Sequence, residues 1–180
     1  GKLAIGFGLA QKIGEDAAPF GPGKVLLVTD KTIVDLQLHA EVLESLQSEG
    51  FEVRIFQDIE QEPHLETARK VQQFVRNEHF SLVVGLGGGS VMDMAKVAFL
   101  TATNPGDIKE YMTGKPIQKK VLPCFLLPTT SGTGSEVSPF IVLSEQERKL
   151  FVSLPHLYAT GALVDPLLSV TMPDRVTAAT

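Results

Sequence analysis

One stretch near the middle of the chain constrains the fold more than any other. Residues 80–100 read FSLVVGLGGGSVMDMAKVAFL: an apolar run of strand length, three consecutive glycines and an apolar pattern of helical length. A near-continuous apolar strand is expected where helices cover both faces of a sheet, because a one-sided sheet alternates polar and apolar residues. This stretch therefore predicts one βα unit of a parallel sheet with two covered faces.

The same order of strand and helix recurs along the chain. Strands are predicted at 24–30, 51–56, 80–87, 121–128 and 161–166. Two helices are predicted from helical spacing, one from Leu36, Ala40 and Leu43 and the other from Leu65, Ala68, Val71 and Val75. Residues 137–154 read as two strands joined by a polar turn. We expect an α/β fold: a doubly wound, Rossmann-like parallel sheet with an added β-hairpin.

The bulk properties exclude several classes of protein. The length of 180 residues suits one domain, and the net charge of −5 argues against a nucleic-acid partner. No apolar stretch approaches the ~20 residues that a membrane span needs, and no signal pattern is present. The single cysteine, Cys124, lies in an apolar run and is expected to be a buried thiol. These observations predict a cytoplasmic protein without a membrane partner.

The three glycines, Gly87, Gly88 and Gly89, lie where the predicted strand passes into the helix. In open α/β sheets ligands bind at this edge, where the free N–H groups of helix N-termini point. Glycines let a pyrophosphate touch the main chain, and we expect the amides of Gly89 and Ser90 to donate to it. The Ser90 hydroxyl is a further candidate donor.

A capped helix is the alternative explanation of this turn. Ser90 and Asp93 have a spacing close to that of a capping box, which satisfies the helix's own N–H groups. A cap does not explain three glycines, since one suffices for most tight turns. A carboxylate in the first turn also offsets the positive helix end, so we expect Asp93 to orient the loop, paired with Lys96.

The stretch departs from the Rossmann fingerprint, because it reads G-x-G-x-x-S and follows the third of the predicted strands rather than the first. That fingerprint has an acidic residue about 20 positions after the loop, whereas the best candidate here, Asp30, comes before it, at the end of the strand KVLLVTD. If the strands predicted at 24–30 and 80–87 are neighbours, Asp30 reaches a ribose 2′-hydroxyl at the glycine turn and repels a 2′-phosphate. As an alternative, Asp30 caps the helix that begins with KTIVDL.

A second loop, LPTTSGTGSE at 127–136, follows another predicted strand and offers five hydroxyls and two glycines. Turn-rich loops often have this composition without function. Two such loops at one sheet edge nevertheless favour a dinucleotide crevice. No serine-hydrolase elbow or Walker lysine is present. The histidines, residues 39, 64, 79 and 156, show no ligand spacing, so we expect them to face solvent and expect no metal site in this chain.

Together GLGGGSVMDMAK, LPTTSGTGSE and ALVDPLLSVTMPDRVTAAT resemble the N-terminal half of the iron-containing, group III alcohol dehydrogenases. The resemblance covers nearly the whole chain. It implies that residues 1–180 form the NAD-binding domain of an enzyme that transfers hydride between a small alcohol and NAD, with NADP second to NAD. It also implies a C-terminal helical domain that binds Fe²⁺ or Zn²⁺ and is absent from this sequence.

The resemblance assigns cofactor contacts but no catalytic residue in this chain. The turn Gly87–Ser90 matches the pyrophosphate site, and Asp30 matches the adenosine ribose site. In the loop QEPH, which the resemblance links to the adenine contact, Glu62 replaces an asparagine often found in the family. The candidate cofactor-binding residues are Asp30, Gly87, Gly88, Gly89, Ser90, Asp93, Thr129, Thr130, Thr133, Phe140 and Lys149. For Phe140 the alternative is core packing, and for Lys149 it is a solvated strand end.

Two other functions stay open from the residues alone. A lyase or synthase of the dehydroquinate synthase type has a similar architecture, and a free-standing nucleotide-binding module would need no second domain. The end of the sequence, TMPDRVTAAT, begins like a helix with Thr171 as cap and Asp174 three residues on, and then stops. We expect residues 171–180 to begin the junction to a further domain, and an uncovered apolar face there to favour a homo-oligomer.

Overall fold

The computed structural model describes residues 1–170. The strands are β1 (Lys2–Ile5), β2 (Lys24–Val28), β3 (Glu52–Phe56), β4 (Leu82–Gly87), β5 (Cys124–Pro128), β6 (Phe140–Glu145), β7 (Arg148–Ser153) and β8 (Gly161–Val164). The α-helices are α1 (Ile13–Ala17), α2 (Lys31–Asp35), α3 (Ala40–Ser48), α4 (Leu65–Asn77), α5 (Gly89–Thr101) and α6 (Ile108–Met112). The expected helix at 171–180, with Thr171 and Asp174, lies outside the described residues.

Six strands form one parallel sheet in the order β1-β8-β5-β4-β2-β3, and β6 and β7 form a separate antiparallel hairpin. Apolar clusters cover both faces of the sheet. The structure confirms the predicted α/β fold, a doubly wound, Rossmann-like sheet with an added hairpin. The edge strand β1 was not predicted, because it has four residues and leaves Leu3 and Ile5 exposed.

The strands β2 and β4 are neighbours, although β3 lies between them in sequence. The chain leaves β2 toward one edge of the sheet, forms β3 and returns to the other side of β2 as β4. A crevice opens at such a switch in strand order, outside the carboxyl ends of the two strands. Asp30 follows β2 and the glycine turn follows β4, so this topology brings both to one crevice.

The core explains why the central strands are almost wholly apolar. In β2, Leu26 and Val28 pack into the cluster on one face, while Val25 and Leu27 pack into the cluster on the other. All four side chains are fully buried. Successive residues of a strand point to opposite faces, so a strand covered on both sides has no solvent-facing position.

The predicted helix around Leu36, Ala40 and Leu43 is wrong as a single element. The chain forms two helices, α2 and α3, because Gln37 adopts a left-handed conformation with φ of 57° and resets the helical phase. Leu36 is half exposed, and α3 buries Val42 and Leu46 instead. The second predicted helix is confirmed as α4, whose four predicted apolar residues are all buried.

A glycine inside β4 allows helix α5 to pack directly on the sheet. A Cβ atom at Gly85 would lie 2.8 Å from the Cβ of Ala95 and 2.7 Å from Cδ2 of Leu126. We predict that Gly85→Ala lowers the free energy of unfolding by about 1–3 kcal/mol, because the helix must move away from the strand. Urea unfolding measures this loss.

Gly6→Ala is the matched control, since no atom lies within 4 Å of the Cβ position there. This variant should stay within about 0.5 kcal/mol of the wild type. Equal stability of both variants would contradict the close contact between α5 and β4.

Candidate functional site

The glycine turn joins β4 to α5 without any side-chain cap. Gly88 is the N-cap residue, and no side chain accepts a hydrogen bond from the first turn of α5. The N–H groups at this end are therefore available to a ligand. This arrangement has the donors that the sequence predicted for a pyrophosphate.

The three glycines differ in what surrounds them. A Cβ atom at Gly87 would lie 2.7 Å from Val91, and one at Gly89 would lie 3.0 Å from Thr133, so internal packing explains both. At Gly88 the nearest atom would be the Thr130 hydroxyl at 3.4 Å, an ordinary contact. Its backbone is extended, with φ of −78° and ψ of −174°. Nothing within the described chain requires glycine at this position.

The alternative explanation of this turn, a capping box, is wrong. The helix begins at Gly89, one residue before Ser90, and the Ser90 hydroxyl donates instead to the carbonyl of Gln61. The Ser90 hydroxyl, which we expected to donate to a ligand, therefore already donates its proton to a backbone carbonyl. Asp93 lies beyond the first turn of α5, and its carboxylate accepts hydrogen bonds from Lys96 and from Ser135 of the second loop.

Lys96 is fully buried, and its ammonium group holds three segments together. It donates to Asp93 Oδ1 at 3.2 Å in α5, to Ser135 Oγ at 2.7 Å in the second loop and to the Phe140 carbonyl at 2.7 Å in β6. Asp93 also accepts from Ser135 Oγ at 2.7 Å and from the Val142 amide at 3.0 Å. Burial lowers the pKa of Lys96, and the Asp93 carboxylate opposes that shift. The expected pairing of Asp93 with Lys96 is present.

The second loop lies against the glycine turn. The Thr129 amide donates to the Gly87 carbonyl at 3.0 Å, and its side chain is buried. Thr130 and Thr133 lie next to Gly88 and Gly89. The parallel strands β4 and β5 are neighbours and end at the same edge, so the two predicted loops meet as expected.

A pocket of about 310 Å³ lies between these loops and the hairpin. Of the predicted site residues it is lined by Gly89, Ser90, Asp93, Thr133, Phe140 and Lys149. Asp30, Gly87, Gly88, Thr129 and Thr130 do not line it. Ser135, one of the hydroxyls of the second loop, also lines the pocket. Sequence reasoning missed other lining residues, because no local motif marks them: Gln61, Pro63, Ser138, Val142, Ser144 and Phe151.

The hairpin gives the pocket an aromatic wall. Phe140 and Phe151 face each other with ring centroids 5.1 Å apart, and both are exposed, at 40% and 57%. The alternative of core packing for Phe140 is therefore wrong. Lys149 ion-pairs with Glu62 at 2.8 Å, so it is not simply a solvated strand end.

Asp30 caps helix α2, which confirms the alternative role predicted for this residue. Its Oδ1 accepts a hydrogen bond from the Ile33 amide at 3.0 Å. The residue also lies two positions after the end of β2, the neighbour of β4, so the cap places it at the crevice. Both roles are compatible, because the second oxygen is left for a ligand.

The histidines do not all face solvent. His39 is buried, and its Nδ1 has no hydrogen-bond partner, so the expectation is wrong for this residue. His64, His79 and His156 are exposed as expected. Within residues 1–170 no group of three His, Cys, Asp or Glu side chains is placed to hold a metal ion. Cys124 is buried, and this burial raises its thiol pKa.

No helix in the described part of the chain has the length and apolarity that a bilayer crossing needs.

A family model described as "Iron-containing alcohol dehydrogenase" matches residues 1–166. The chain belongs to the iron-containing alcohol dehydrogenase family. This confirms the resemblance drawn from the motifs. Long-chain-alcohol dehydrogenase 1 of Geobacillus thermodenitrificans is 41% identical over 179 residues, which are 98% of this chain and 45% of that protein.

Solved structures of two family members have the same fold. Sulfoacetaldehyde reductase from Bifidobacterium kashiwanohense, solved in complex with NAD⁺, matches with a TM-score of 0.90 and 31% identity over 99% of this chain and 48% of that one. NADH-dependent butanol dehydrogenase A from Thermotoga maritima matches with a TM-score of 0.89 and 30% identity, covering 98% and 45% of the two chains. This chain spans about half the length of the relatives it matches.

The buried pair of Asp93 and Lys96 is expected to stabilise the fold around the pocket. We predict that Asp93→Asn lowers the free energy of unfolding by about 3 kcal/mol, because it leaves the Lys96 charge buried without a counterion. Urea unfolding measures the loss. The double variant Asp93→Asn, Lys96→Met should be more stable than Asp93→Asn alone, and a lower stability would contradict this assignment of the cost.

Proposed function

We propose that this chain binds NAD in the crevice between the carboxyl ends of β2 and β4, as the dinucleotide-binding half of a metal-dependent alcohol dehydrogenase. Family membership supports this proposal, as does the NAD⁺ complex of a relative with the same fold. The position of the glycine turn at a switch in strand order agrees with it.

The single observation that carries the proposal is the environment of Gly88. Packing inside the chain accounts for Gly87 and Gly89 but leaves Gly88 without an internal reason to be glycine. A ligand that touches the main chain supplies such a reason, since a Cβ atom would occupy its place. The uncapped first turn of α5 offers N–H donors at the same point, and these suit a pyrophosphate.

The remaining candidate residues have distinct proposed roles. Thr130 and Thr133 flank the turn and offer hydroxyl donors, while Asp93 orients the second loop through Lys96 and Ser135. Phe140 presents an aromatic face to a planar group of the ligand. When bound, NAD accepts or donates the hydride.

The described residues contain no group of side chains that fits a metal centre, so the proposal gives them no role in metal binding. We propose that the metal, iron or zinc, binds to a helical domain of the whole protein. The substrate of that protein is an alcohol or the corresponding aldehyde, since its relatives are named for alcohols that range from butanol to long-chain alcohols. A reducing compartment such as the cytoplasm suits the single buried cysteine.

Gly88→Ala tests the pyrophosphate contact. We expect the free energy of unfolding to stay within about 0.5 kcal/mol of the wild type, because the new methyl group makes only ordinary contacts. The dissociation constant for NAD should rise at least about tenfold, equivalent to ~1.4 kcal/mol, because the same methyl group keeps the phosphates away from the amides. Titration calorimetry with NAD and urea unfolding give the two values.

Gly14→Ala provides the opposite pattern as a control. A Cβ atom at Gly14, in α1, would lie 2.1 Å from the Ser45 carbonyl oxygen in α3, so this variant should lose stability and retain NAD affinity in the folded fraction. Unchanged NAD affinity in Gly88→Ala would remove the pyrophosphate contact from this proposal.

Asp30→Asn tests the choice between NAD and NADP. Asparagine caps a helix as well as aspartate does, so α2 should remain intact. Without the negative charge, the affinity for NADP relative to NAD should rise about tenfold, equivalent to ~1.4 kcal/mol. Titrations with both nucleotides measure the ratio. Asp35→Asn, an exposed change at the other end of α2, should leave the ratio unchanged, and an unchanged ratio in Asp30→Asn would place Asp30 away from the ribose.

A further inference from the structure

An ion pair joins two sides of the pocket. Glu62 Oε2 lies 2.8 Å from Lys149 Nζ, linking the segment after β3 to strand β7 of the hairpin. Both side chains are largely exposed, at 73% and 57%. Both residues line the same pocket as Gly89 and Ser90, the start of helix α5. The pair therefore lies in a pocket that adjoins the glycine turn, which we assign to the pyrophosphate of the dinucleotide.

Hydrogen bonds hold the two segments that carry this pair. The Ser144 amide of the hairpin donates to the Pro63 carbonyl at 2.9 Å, and Lys149 also donates to Ser144 Oγ at 3.0 Å. The Gln61 carbonyl accepts from Ser90 at the start of α5. The segment that carries Glu62 is thus held against both the hairpin and the glycine turn.

The pocket wall has few charges within the described residues. Its ionisable side chains are those of Glu62, Asp93 and Lys149. The carboxylate of Asp93 already accepts hydrogen bonds from Lys96, Ser135 and Val142. Lys149 is therefore the cation that this wall presents to a ligand, and Glu62 is its counterion. The hydrogen bond from Lys149 lowers the pKa of Glu62, so the carboxylate is charged at neutral pH.

We propose that Glu62 sets the affinity of this pocket for the dinucleotide, because its carboxylate competes with the bound phosphates for the ammonium group of Lys149. The inference rests on the proposed function. Exposed ion pairs are weak, so a phosphate that is also held by main-chain amides can displace Glu62. Removal of the Glu62 charge leaves the Lys149 ammonium group without its counterion before the ligand binds, and it makes the electrostatic potential of the pocket wall more positive.

The test is a double-mutant cycle with NAD as the probe. In the wild-type background, Glu62→Gln should tighten NAD binding about two- to fivefold, the range of an exposed ion pair. Most of the gain should come from faster association, and it should shrink at high salt. In the Lys149→Met background, Glu62→Gln should give no gain. Calorimetry gives the affinities and stopped-flow fluorescence gives the association rates.

Two results would overturn the inference. A gain of equal size in both backgrounds would mean that Glu62 repels the ligand without acting through Lys149. No gain in the wild-type background would mean that Glu62 does not limit binding. Glu66→Gln is the matched control, since Glu66 is an exposed carboxylate paired with Arg69 at 3.3 Å and lies outside the pocket lining. It should leave affinity unchanged.

Gly88→Ala separates this inference from the proposed function. If Gly88→Ala weakens NAD binding while Glu62→Gln has no effect, the competition for Lys149 is wrong and the dinucleotide site stands. If Gly88→Ala binds NAD as well as the wild type does, the proposed site itself is wrong, and the competition fails with it.

Discussion

One buried charge, the ammonium group of Lys96, holds the site in its shape. Its hydrogen bonds reach helix α5, the second loop and the hairpin, and each partner is within 3.2 Å. A charge without access to water needs both a counterion and a full set of acceptors, because an unpaired one costs several kcal/mol. Asp93 supplies the counterion from the same helix. The positions of loop and hairpin are thus tied to the core of the sheet.

The three glycines show how packing and function can be separated within one motif. In the sequence they form a single feature with a single explanation. In the structure, a Cβ atom at Gly87 or Gly89 would crowd Val91 or Thr133, so packing favours glycine at both positions, and of the three only Gly88 lacks an internal explanation. The residue with no structural reason to be glycine is therefore the one on which the argument for a ligand depends.

Periodicity and strand order predicted most of the fold, because both are local or follow from parallel topology. The strands β2 and β4 are predictable from their continuous apolar runs, which reflect the helices on both faces of the sheet. The glycine turn and the second loop meet because they follow β4 and β5, which are adjacent parallel strands. The break at Gln37 and the burial of His39 depend on tertiary packing. The contacts of Lys96 with Ser135 and of Lys149 with Glu62 join residues 39 and 87 positions apart, beyond the reach of any local pattern.

Helix α5 combines two requirements that a site built on main-chain donors must meet. Amides bind an anion well only when they are held in place, since they cannot follow a ligand as a long side chain can. The helix offers its N-terminal amides at the crevice, and from Val91 to Thr101 every residue is buried in the core. Asp93 and Lys96, within the same two turns, fix the opposite loop to that helix. Rigid packing of α5 thus sets both the donors and the wall that faces them.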